Sequence, residues 1–448
     1  MERNDAIKVG MISLGCNKNQ VDAELMLGTL AREGFIISDD QDNCDVIIVN
    51  TCGFIESAKK ESIENILECC RLKDEGKIKL VVVTGCLAER YRDEVAELIP
   101  EADVILGIGA NDEIVSAIKT ALSGKKIACF YAPENLVTEG DRILVNDPHY
   151  AYIRIADGCD NRCAYCAIPM IRGRYRSRSM DKILAECTEL AEKGVKELII
   201  IAQDTTRYGV DIYGKRMLPE LLRAICRIDG VKWVRLLYAY PERVTEELLD
   251  VFAEEEKMVK YIDIPLQHCS RKVLRAMRRH PYTPAELMEF INHIRERVPG
   301  LCLRTTLLTG FPGESDRDFE ALCKFVRAAK FDRLGCFAFS REENTPAYDM
   351  PNQLDEETKQ RRAEVIMEIQ TGVSAALLRK KIDTVQEVVV EGYNKKHKCY
   401  VGRSAQDAPE IDGLVYFKSA ADHYIGDFVS VKIEKSSDYD LYGSIVEG

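Results

Sequence analysis

Short apolar runs alternate with helix-like segments along most of this 448-residue chain, and this alternation limits the possible folds. Near-continuous apolar strands joined by helices form parallel sheets that are covered on both faces. Strand-like runs lie at 7–15, 44–51, 78–85 and 102–109, with helical patterns at 21–34 and 57–76. The pattern predicts an α/β protein whose N-terminal domain, residues 5–125, is a doubly wound parallel sheet.

A second series of strands and helices begins at residue 151, after a looser connection over 126–150 that we interpret as a linker. Its candidate strands lie at 151–157, 197–204, 233–240, 261–267, 302–310 and 333–340. Six βα units predict a barrel or a partial (β/α)6 barrel, with the chemistry at the carboxyl ends of its strands. We assign this domain to 151–380, including a long helix at 355–381. The short strands that follow predict a small β-barrel over 381–448.

Composition narrows the class of protein. The chain has 62 basic and 74 acidic residues, and its net charge of −12 argues against a protein that mainly binds nucleic acid non-specifically. The N-terminus lacks the apolar stretch of a signal peptide, and no apolar run approaches the roughly 18 residues of a membrane span. We therefore expect a cytoplasmic protein with no membrane partner. In that compartment, 17 cysteines indicate metal or redox chemistry rather than disulfides.

Three cysteines are packed into the loop DGCDNRCAYCAIP, residues 157–169. We call them the loop trio: Cys159, Cys163 and Cys166. Closed zinc sites and electron-carrying iron–sulfur clusters normally have four protein ligands. The next cysteine is Cys187 and the nearest histidine is His149, so the loop contains no fourth ligand. Either a remote residue completes a zinc or ferredoxin-like site, or one coordination position is open for a small molecule.

Three other cysteines occupy equivalent places in the predicted N-terminal sheet. We call them the sheet-edge trio: Cys16, Cys52 and Cys86, each directly after one of the first three strand-like runs. The carboxyl ends of parallel strands share one edge, where ligands gather. The topology therefore predicts a second three-cysteine site, the alternative being that these are small buried hydrophobic residues. The other eleven cysteines fall mostly in helix or strand patterns and are expected to be packing residues.

Both trios contribute to a family resemblance. The C-x3-C-x2-C spacing, with Tyr165 before its last cysteine, closely resembles the signature of radical S-adenosylmethionine (SAM) enzymes. The segments MISLGCNKNQVDAE, VIIVNTCGFIESAKKES and VVVTGCLAERY resemble the methylthiotransferases within that superfamily. The resemblance covers essentially the whole chain and includes a TRAM-like C-terminal barrel.

The resemblance implies a set of cofactors. The loop trio would hold a [4Fe–4S] cluster whose open iron binds SAM, with Tyr165 beside the cofactor. The sheet-edge trio would hold an auxiliary [4Fe–4S] cluster that handles the inserted sulfur. A reductant of the flavodoxin type is also implied, whereas the immediate sulfur donor stays open.

Two features indicate the substrate class: the resemblance of several motifs to one branch of the family, and the net charge of the C-terminal residues. Methylthiotransferases modify either an adenosine of tRNA or an aspartate of small-subunit ribosomal protein S-twelve. SLGCNKNQVDAELM, AQDTTRYGVD and PLQHCS resemble the second class, the RimO type, although Asn17 and Ala23 replace its usual proline and serine. Residues 383–448 contain seven basic and twelve acidic residues, and this excess of acid repels phosphate and suits a basic ribosomal protein. An acidic surface with no partner role is the alternative.

The expected activity is insertion of a methylthio group at the β-carbon of that aspartate. An unactivated carbon–hydrogen bond offers no acidic proton, so a cofactor must carry the chemistry. The resemblance implies one SAM as methyl donor and a second as the source of the radical that removes the β-hydrogen. The rival functions are tRNA methylthiolation, and a non-catalytic metal-cluster protein that binds ribosomes.

Two further motifs lie near the predicted active face. RGRYRSR contains Arg172, Arg174, Arg176 and Arg178. These arginines could position an acidic target or the SAM carboxylate, or form a solvated loop. TGFPGE, at 309–314, resembles a glycine-rich turn that contacts SAM. Asp204 and Gln267 end strands at the same face and receive no assigned role.

Overall fold

The computed structural model describes residues 7–446, so residues 5, 6, 447 and 448 of the predicted domains lie outside the described part. Six parallel strands form the N-terminal sheet in the order β2-β1-β3-β4-β5-β6. The strands are β1 (Lys8–Ser13), β2 (Ile36–Ile37), β3 (Val46–Thr51), β4 (Leu80–Gly85), β5 (Val104–Leu106) and β6 (Ile127–Cys129). The helices are α1 (Asn17–Arg32), α2 (Glu56–Asp74), α3 (Cys86–Leu98) and α4 (Ile114–Leu122).

Helices cover both faces of this sheet. Apolar residues of α1 and α4 pack on one face, in the cluster that contains Met26 and Ile118. Residues of α2 and α3 pack on the other, in the cluster that contains Ile66 and Val95. The doubly wound parallel sheet is thus confirmed. The segment predicted as a linker supplies the edge strand β6, which pairs with β5.

The central domain is an open barrel of six parallel strands in the order β14-β13-β12-β11-β10-β7. Its strands are β7 (Tyr150–Arg154), β10 (Glu197–Ile201), β11 (Trp233–Leu236), β12 (Met258–Asp263), β13 (Cys302–Thr309) and β14 (Arg333–Ala338), while β8 (Ala156–Asp157) and β9 (Arg176–Ser177) form a separate antiparallel pair. Its helices are α5 (Ile168–Arg172), α6 (Met180–Glu192), α7 (Val210–Tyr213), α8 (Leu218–Cys226), α9 (Glu246–Glu254), α10 (Arg271–Ala276), α11 (Pro284–Arg297), α12 (Asp316–Ala329) and α13 (Glu356–Arg379). β7 and β14 are the two edges of the sheet, so the partial barrel is confirmed.

The C-terminal strands close into a five-stranded barrel in the order β15-β16-β17-β19-β18. They are β15 (Val385–Asn394), β16 (Cys399–Ser404), β17 (Val415–Lys418), β18 (Phe428–Ser436) and β19 (Leu441–Ile445). Within residues 7–446, no helix has both the length and the apolar character that a membrane span needs.

Parts of both terminal domains pack against the inner face of the open barrel, opposite its helices. Val21 and Leu25 of α1 and Ala408 of the C-terminal barrel share one apolar cluster with inner-face residues such as Tyr152 and Tyr261. Asp412 adds polar contacts, because the Tyr261 hydroxyl donates to its carboxylate over 2.7 Å. The carboxyl edges of the N-terminal sheet and the open barrel are thereby brought together.

Candidate active site

The sheet-edge trio lies at the ends of β1, β3 and β4, which are neighbours in the sheet. Cys16 is the N-cap residue of α1, and Cys86 is the first residue of α3. The amide of Cys52 donates to the Ser62 hydroxyl over 2.9 Å, and that hydroxyl donates back to the Cys52 carbonyl over 3.0 Å. Strand ends next to helix N-termini present backbone dipoles that favour negative charge, which suits thiolate ligands.

Gly15 allows the first two of these strand ends to approach each other. Its φ is +94°, and a β-carbon there would lie 2.8 Å from Cys52 Cβ and 2.9 Å from Cys52 Sγ. Asn19 fastens the same strand ends, because its amide donates to the Leu14 carbonyl over 2.7 Å and to the Thr51 carbonyl over 3.2 Å. Cys16, Cys52 and Cys86 thus lie at one edge of the sheet, at the ends of neighbouring strands, and their role as cluster ligands stays a prediction.

The loop trio follows β8 at the carboxyl edge of the open barrel. Two backbone hydrogen bonds hold the loop: the Ala164 amide donates to the Met277 carbonyl over 2.9 Å, and the Ala347 amide donates to the Ala164 carbonyl over 2.8 Å. Gly158, with φ +76°, passes so close to the Arg174 carbonyl that a β-carbon would lie 2.1 Å from its oxygen. The loop is therefore fixed by backbone hydrogen bonds to Met277 and Ala347, and it packs closely against the backbone of Arg174.

Aromatic side chains enclose the loop trio. Cys163 Sγ lies 3.8 Å from the Tyr240 hydroxyl, and the Arg279 guanidinium lies 4.2 Å from the centre of the Tyr240 ring. The half-buried Tyr165 ring packs edge-on against Phe311, with 6.5 Å between ring centres. The role of Tyr165 in cofactor binding stays a prediction, whereas Tyr240 and Arg279 are neighbours of the site that the sequence analysis missed.

Burial raises the pKa of thiols in both trios. Together with a neighbouring thiol of the same trio, it raises the pKa of Cys159 to about 11 and that of Cys86 to about 12. The pKa of Cys166 is raised in the same way by burial and by its two partners. Each trio therefore contains thiols that are removed from water and interact with one another, although Cys16 is exposed, and a cation must stabilise the buried ones as thiolates.

Four buried charges join the two trios. Arg172 pairs with Asp22 over 2.7 Å and with Asp157 over 2.9 Å. Arg154 pairs with Asp157 over 3.1 Å and also with Asp22. Burial alone would raise the pKa of Asp157, but the two arginines more than offset it and hold the pKa below its usual range. We call these four residues the charge square.

The charge square reaches both cysteine sites. Asp157 is two residues before Cys159, and Arg172 Nη2 lies 3.7 Å from Cys86 Sγ as a hydrogen-bond donor. Arg172 thus connects the loop after one trio to the most buried cysteine of the other. Charge-assisted hydrogen bonds of this kind are about twice as strong as neutral ones.

The arginines of RGRYRSR mostly serve the fold. Arg178 is buried and pairs with Glu186 over 2.6 Å, and Arg176 donates to the carbonyls of Arg174 and Pro133. Only Arg174 is strongly exposed, with its side chain 80% accessible. Neither expectation for this segment holds as a whole, because Arg172 and Arg178 are neither solvated nor free for an outside carboxylate.

The strand-end residues without an assigned role are held by hydrogen bonds. Asp204 pairs with Arg243 over 2.6 Å and accepts from the Asn161 amide over 2.9 Å, which ties the cysteine loop to β10. In the turn TGFPGE, the buried Glu314 carboxylate accepts from the Gly310 amide over 2.6 Å and pairs with Arg362 over 2.8 Å. These contacts fix the Asp204 and Glu314 side chains at the carboxyl edge of the barrel. Contact between SAM and the turn stays a prediction.

A cavity of about 410 Å³ opens beside the sheet-edge trio, where all three domains meet. Its lining includes Cys16 and Asn17 of the N-terminal domain, Tyr238 of the barrel, and Glu410 of the C-terminal barrel. A larger groove of about 670 Å³ along α13 is lined by none of the six cysteines. The smaller cavity is therefore the one next to candidate chemistry.

The donor set fits two iron–sulfur clusters, each with one iron left open. Each of the two trios offers three thiols and has at least one helix N-terminus beside it. Thiolates are the ligands that such clusters use. In the described part of the chain, no group of three or more His, Cys, Asp or Glu side chains is arranged to hold a single metal ion. A cubane cluster spaces its thiolates farther apart than one ion does, so this result is compatible with the clusters.

Comparison with known families defines the class of protein. Residues 153–326 match the radical SAM superfamily, and residues 382–446 match the TRAM domain. Residues 8–107 match the uncharacterized protein family UPF0004. The chain is therefore a radical SAM enzyme with a TRAM domain at its C-terminal end.

Full-length relatives define the family. "Ribosomal protein uS12 methylthiotransferase RimO" of Clostridium kluyveri is 48% identical over 446 residues, covering 99% of each chain. The relative of the same name from Desulforamulus reducens is 48% identical over 444 residues, covering 98% of this chain and 99% of its own. The chain belongs to this family of RimO methylthiotransferases, whose cofactors are SAM and two [4Fe–4S] clusters.

Solved structures support the fold alone. The radical SAM methyltransferase TsrM from Kitasatospora setae superposes with a TM-score of 0.56 at 17% identity, over 76% of this chain and 75% of that one. The cobalamin-dependent radical enzyme OxsB gives a TM-score of 0.51 at 12% identity, over 81% and 56% of the two chains. Both likenesses extend beyond the open barrel.

Proposed function

We propose that this enzyme inserts a methylthio group at the β-carbon of one aspartate of ribosomal protein uS12. Full-length similarity to relatives named for that activity is the observation that carries the proposal. The excess of acidic residues in the C-terminal barrel supports a basic protein rather than tRNA as the partner. Since the proposed substrate is a ribosomal protein, we expect the reaction to take place in the cytoplasm. The proposed electron donor is a reductant of the flavodoxin type.

We assign the cluster ligands residue by residue. Cys159, Cys163 and Cys166 hold the cluster that binds SAM, and Cys16, Cys52 and Cys86 hold the auxiliary cluster. When bound, the clusters and SAM would supply the chemistry: one SAM the radical that removes the β-hydrogen, a second SAM the methyl group, and the auxiliary cluster the inserted sulfur. The proposed domain bounds are 5–125, 151–380 and 381–448, with 126–150 between the first two.

The protein's own residues position the two sites. The charge square holds the loop after one trio against the helix that begins at Cys86, so the spacing between the sites is set by buried ion pairs. The hydrogen bonds of Ala164 keep the cysteine loop in place, and the Tyr240 hydroxyl lies beside Cys163. The β-carbon of a substrate aspartate must then lie within reach of both sites.

Intact-mass analysis tests the substrate. Ribosomal protein uS12 and tRNA are isolated from a strain that lacks this enzyme and from the same strain carrying it on a plasmid. We expect uS12 to gain one methylthio group in place of one hydrogen only when the enzyme is present. A change in tRNA adenosine with unmodified uS12 would favour the tRNA activity, and no change in either would favour a non-catalytic protein.

Purified enzyme tests the chemistry. Under anaerobic reduction, the reconstituted protein should contain two clusters by iron and sulfide analysis and should convert SAM to 5′-deoxyadenosine. Stoichiometric zinc without 5′-deoxyadenosine would overturn the radical mechanism.

A further inference from the structure

Lys18 is a buried cation that forms no ion pair with any of the described residues. It is the second residue of α1, and only 6% of its surface is exposed. Its ammonium lies 3.0 Å from the centre of the Tyr238 ring. Within residues 7–446, Nζ also makes no hydrogen bond. The charge of this ammonium is therefore left without a directly bonded counter-ion.

A charged lysine is energetically unfavourable at this position, for two reasons. The first turn of a helix carries positive backbone charge, which repels a cation, and burial removes the water that would solvate it. Most other buried cations of the described residues are in ion pairs, such as Arg154 and Arg172 with Asp22, and Arg235 with Glu197 over 2.7 Å. Arg279, which also lies over a tyrosine ring without an ion pair, differs from Lys18 in donating a hydrogen bond to the Pro265 carbonyl over 2.8 Å. Residues that break a local rule without compensation concentrate at functional sites.

Tyr238 fixes the position of this ammonium. It follows β11 at the carboxyl edge of the barrel with φ +61°, a left-handed conformation that is rare for an aromatic residue. Its amide donates to Asp263 over 3.1 Å, and its hydroxyl donates to the Asn17 side chain over 3.3 Å. The same tyrosine lines the cavity beside Cys16. Lys18 is thus held between the sheet-edge trio and the barrel.

We propose that Lys18 binds the side-chain carboxylate of the substrate aspartate and thereby selects aspartate as the modified residue. This inference rests on the proposed function. The ammonium would form a charge-assisted hydrogen bond to the carboxylate and would hold the adjacent β-carbon between the two cysteine sites. Asparagine has the same shape and no charge, so it would leave the ammonium unpaired.

Binding of two matched ligands tests the inference. Anaerobic calorimetry measures the affinity of the cluster-loaded enzyme for unmodified uS12 and for uS12 with the target aspartate replaced by asparagine. We expect the natural enzyme to bind the aspartate form about 10- to 100-fold more tightly. Lys18→Met should bind both forms equally and weakly, and Lys18→Arg should recover part of the preference.

Lys232→Met is the matched control. Lys232 also lies over an aromatic ring, 4.1 Å from the centre of Phe428, but its side chain is 40% accessible and pairs with Glu387. We expect this variant to keep the full preference for aspartate. The iron content of every variant is measured on the same samples, because Lys18 is near a cluster ligand.

Three results would overturn the inference. One is equal binding of both forms of uS12 by the natural enzyme, which still modifies the natural form. Another is retention of the preference for aspartate by Lys18→Met with its iron content unchanged. A third is a loss of iron in Lys18→Met and Lys18→Arg with the preference intact, which would assign Lys18 to the cluster. If the natural enzyme does not modify uS12 at all, the proposed function itself fails first, and the mass analysis detects that separately.

Discussion

The two cysteine sites are chemically alike but are assembled in opposite ways. The loop trio lies within eight residues of one loop, whereas the sheet-edge trio comes from three strands that the sheet topology brings together. A local site can be recognised from spacing alone. A distributed site depends on correct packing of a whole domain, so damage to the domain junction should affect it more.

The largest expected effect comes from removing the cysteines themselves. Alanine at Cys159, Cys163 or Cys166 should abolish formation of 5′-deoxyadenosine, because no cluster would remain to bind and reduce SAM. Alanine at Cys16, Cys52 or Cys86 should abolish methylthio transfer but spare part of the SAM cleavage. Chromatographic assay of 5′-deoxyadenosine measures both, and full SAM cleavage without the loop trio would refute the division of roles.

Arg172→Met should cost the most stability, because it leaves Asp22 and Asp157 short of a partner in a buried place. Breaking a buried ion pair typically costs about 3 to 5 kcal/mol. Urea denaturation of the cluster-free protein measures the loss. Arg174→Met, in the same loop but exposed, is the control and should change little. Equal stability of the two variants would show that the charge square does not hold the junction.

Acid should weaken the barrel through one buried histidine, a group that the N-terminal sheet lacks. Burial lowers the pKa of His268 to about 4 from an ordinary value of 6.5, and residues 7–129 contain no histidine. The unfolded chain therefore takes up the proton first, so this stability is complete above pH 6.5 and is lost as the pH falls toward 4. The loss is about 3 kcal/mol.

The difference in unfolding free energy between the natural protein and His268→Gln isolates this effect, because carboxylates titrate in both. We expect the difference to shrink from pH 7.5 to pH 4.5. A difference that does not change with pH would contradict the expectation.

The smallest effect is expected from a cysteine outside both trios. Cys187 is fully buried in the barrel core, so Cys187→Ala should cost about 1 kcal/mol and leave the iron content unchanged. Iron analysis and urea denaturation together check this. A loss of iron would add Cys187 to a cluster site.

Element types were well predicted where the apolar pattern was strong. The long helix expected at 355–381 is α13, Glu356–Arg379, and all six barrel strands lie at or near their predicted places. Helix α3 was missed because CLAERYRDEVAEL is mostly polar and is distorted at Arg92, which has φ +32°. Helix α1 begins at Asn17, four residues before the predicted start, because Cys16 serves as its N-cap. That difference places Lys18 inside the helix.

The partners within the charge square could not be predicted. Asp22 and Arg154 are 132 residues apart, and their pairing depends on how α1 packs against the barrel. The same holds for Lys18 and Tyr238, which belong to different domains. No local pattern of spacing or charge signals such contacts.

The sequence by itself determined the two cysteine trios, the parallel sheets and the family, because strand periodicity and ligand spacing are local properties. Only the tertiary structure decided that Arg172 joins the two sites, that most of its neighbouring arginines are structural, and that Lys18 forms no ion pair with any residue the structure describes. These features depend on which charges remain paired after three domains pack together. That outcome follows from burial and geometry in space, which no single segment of the chain contains.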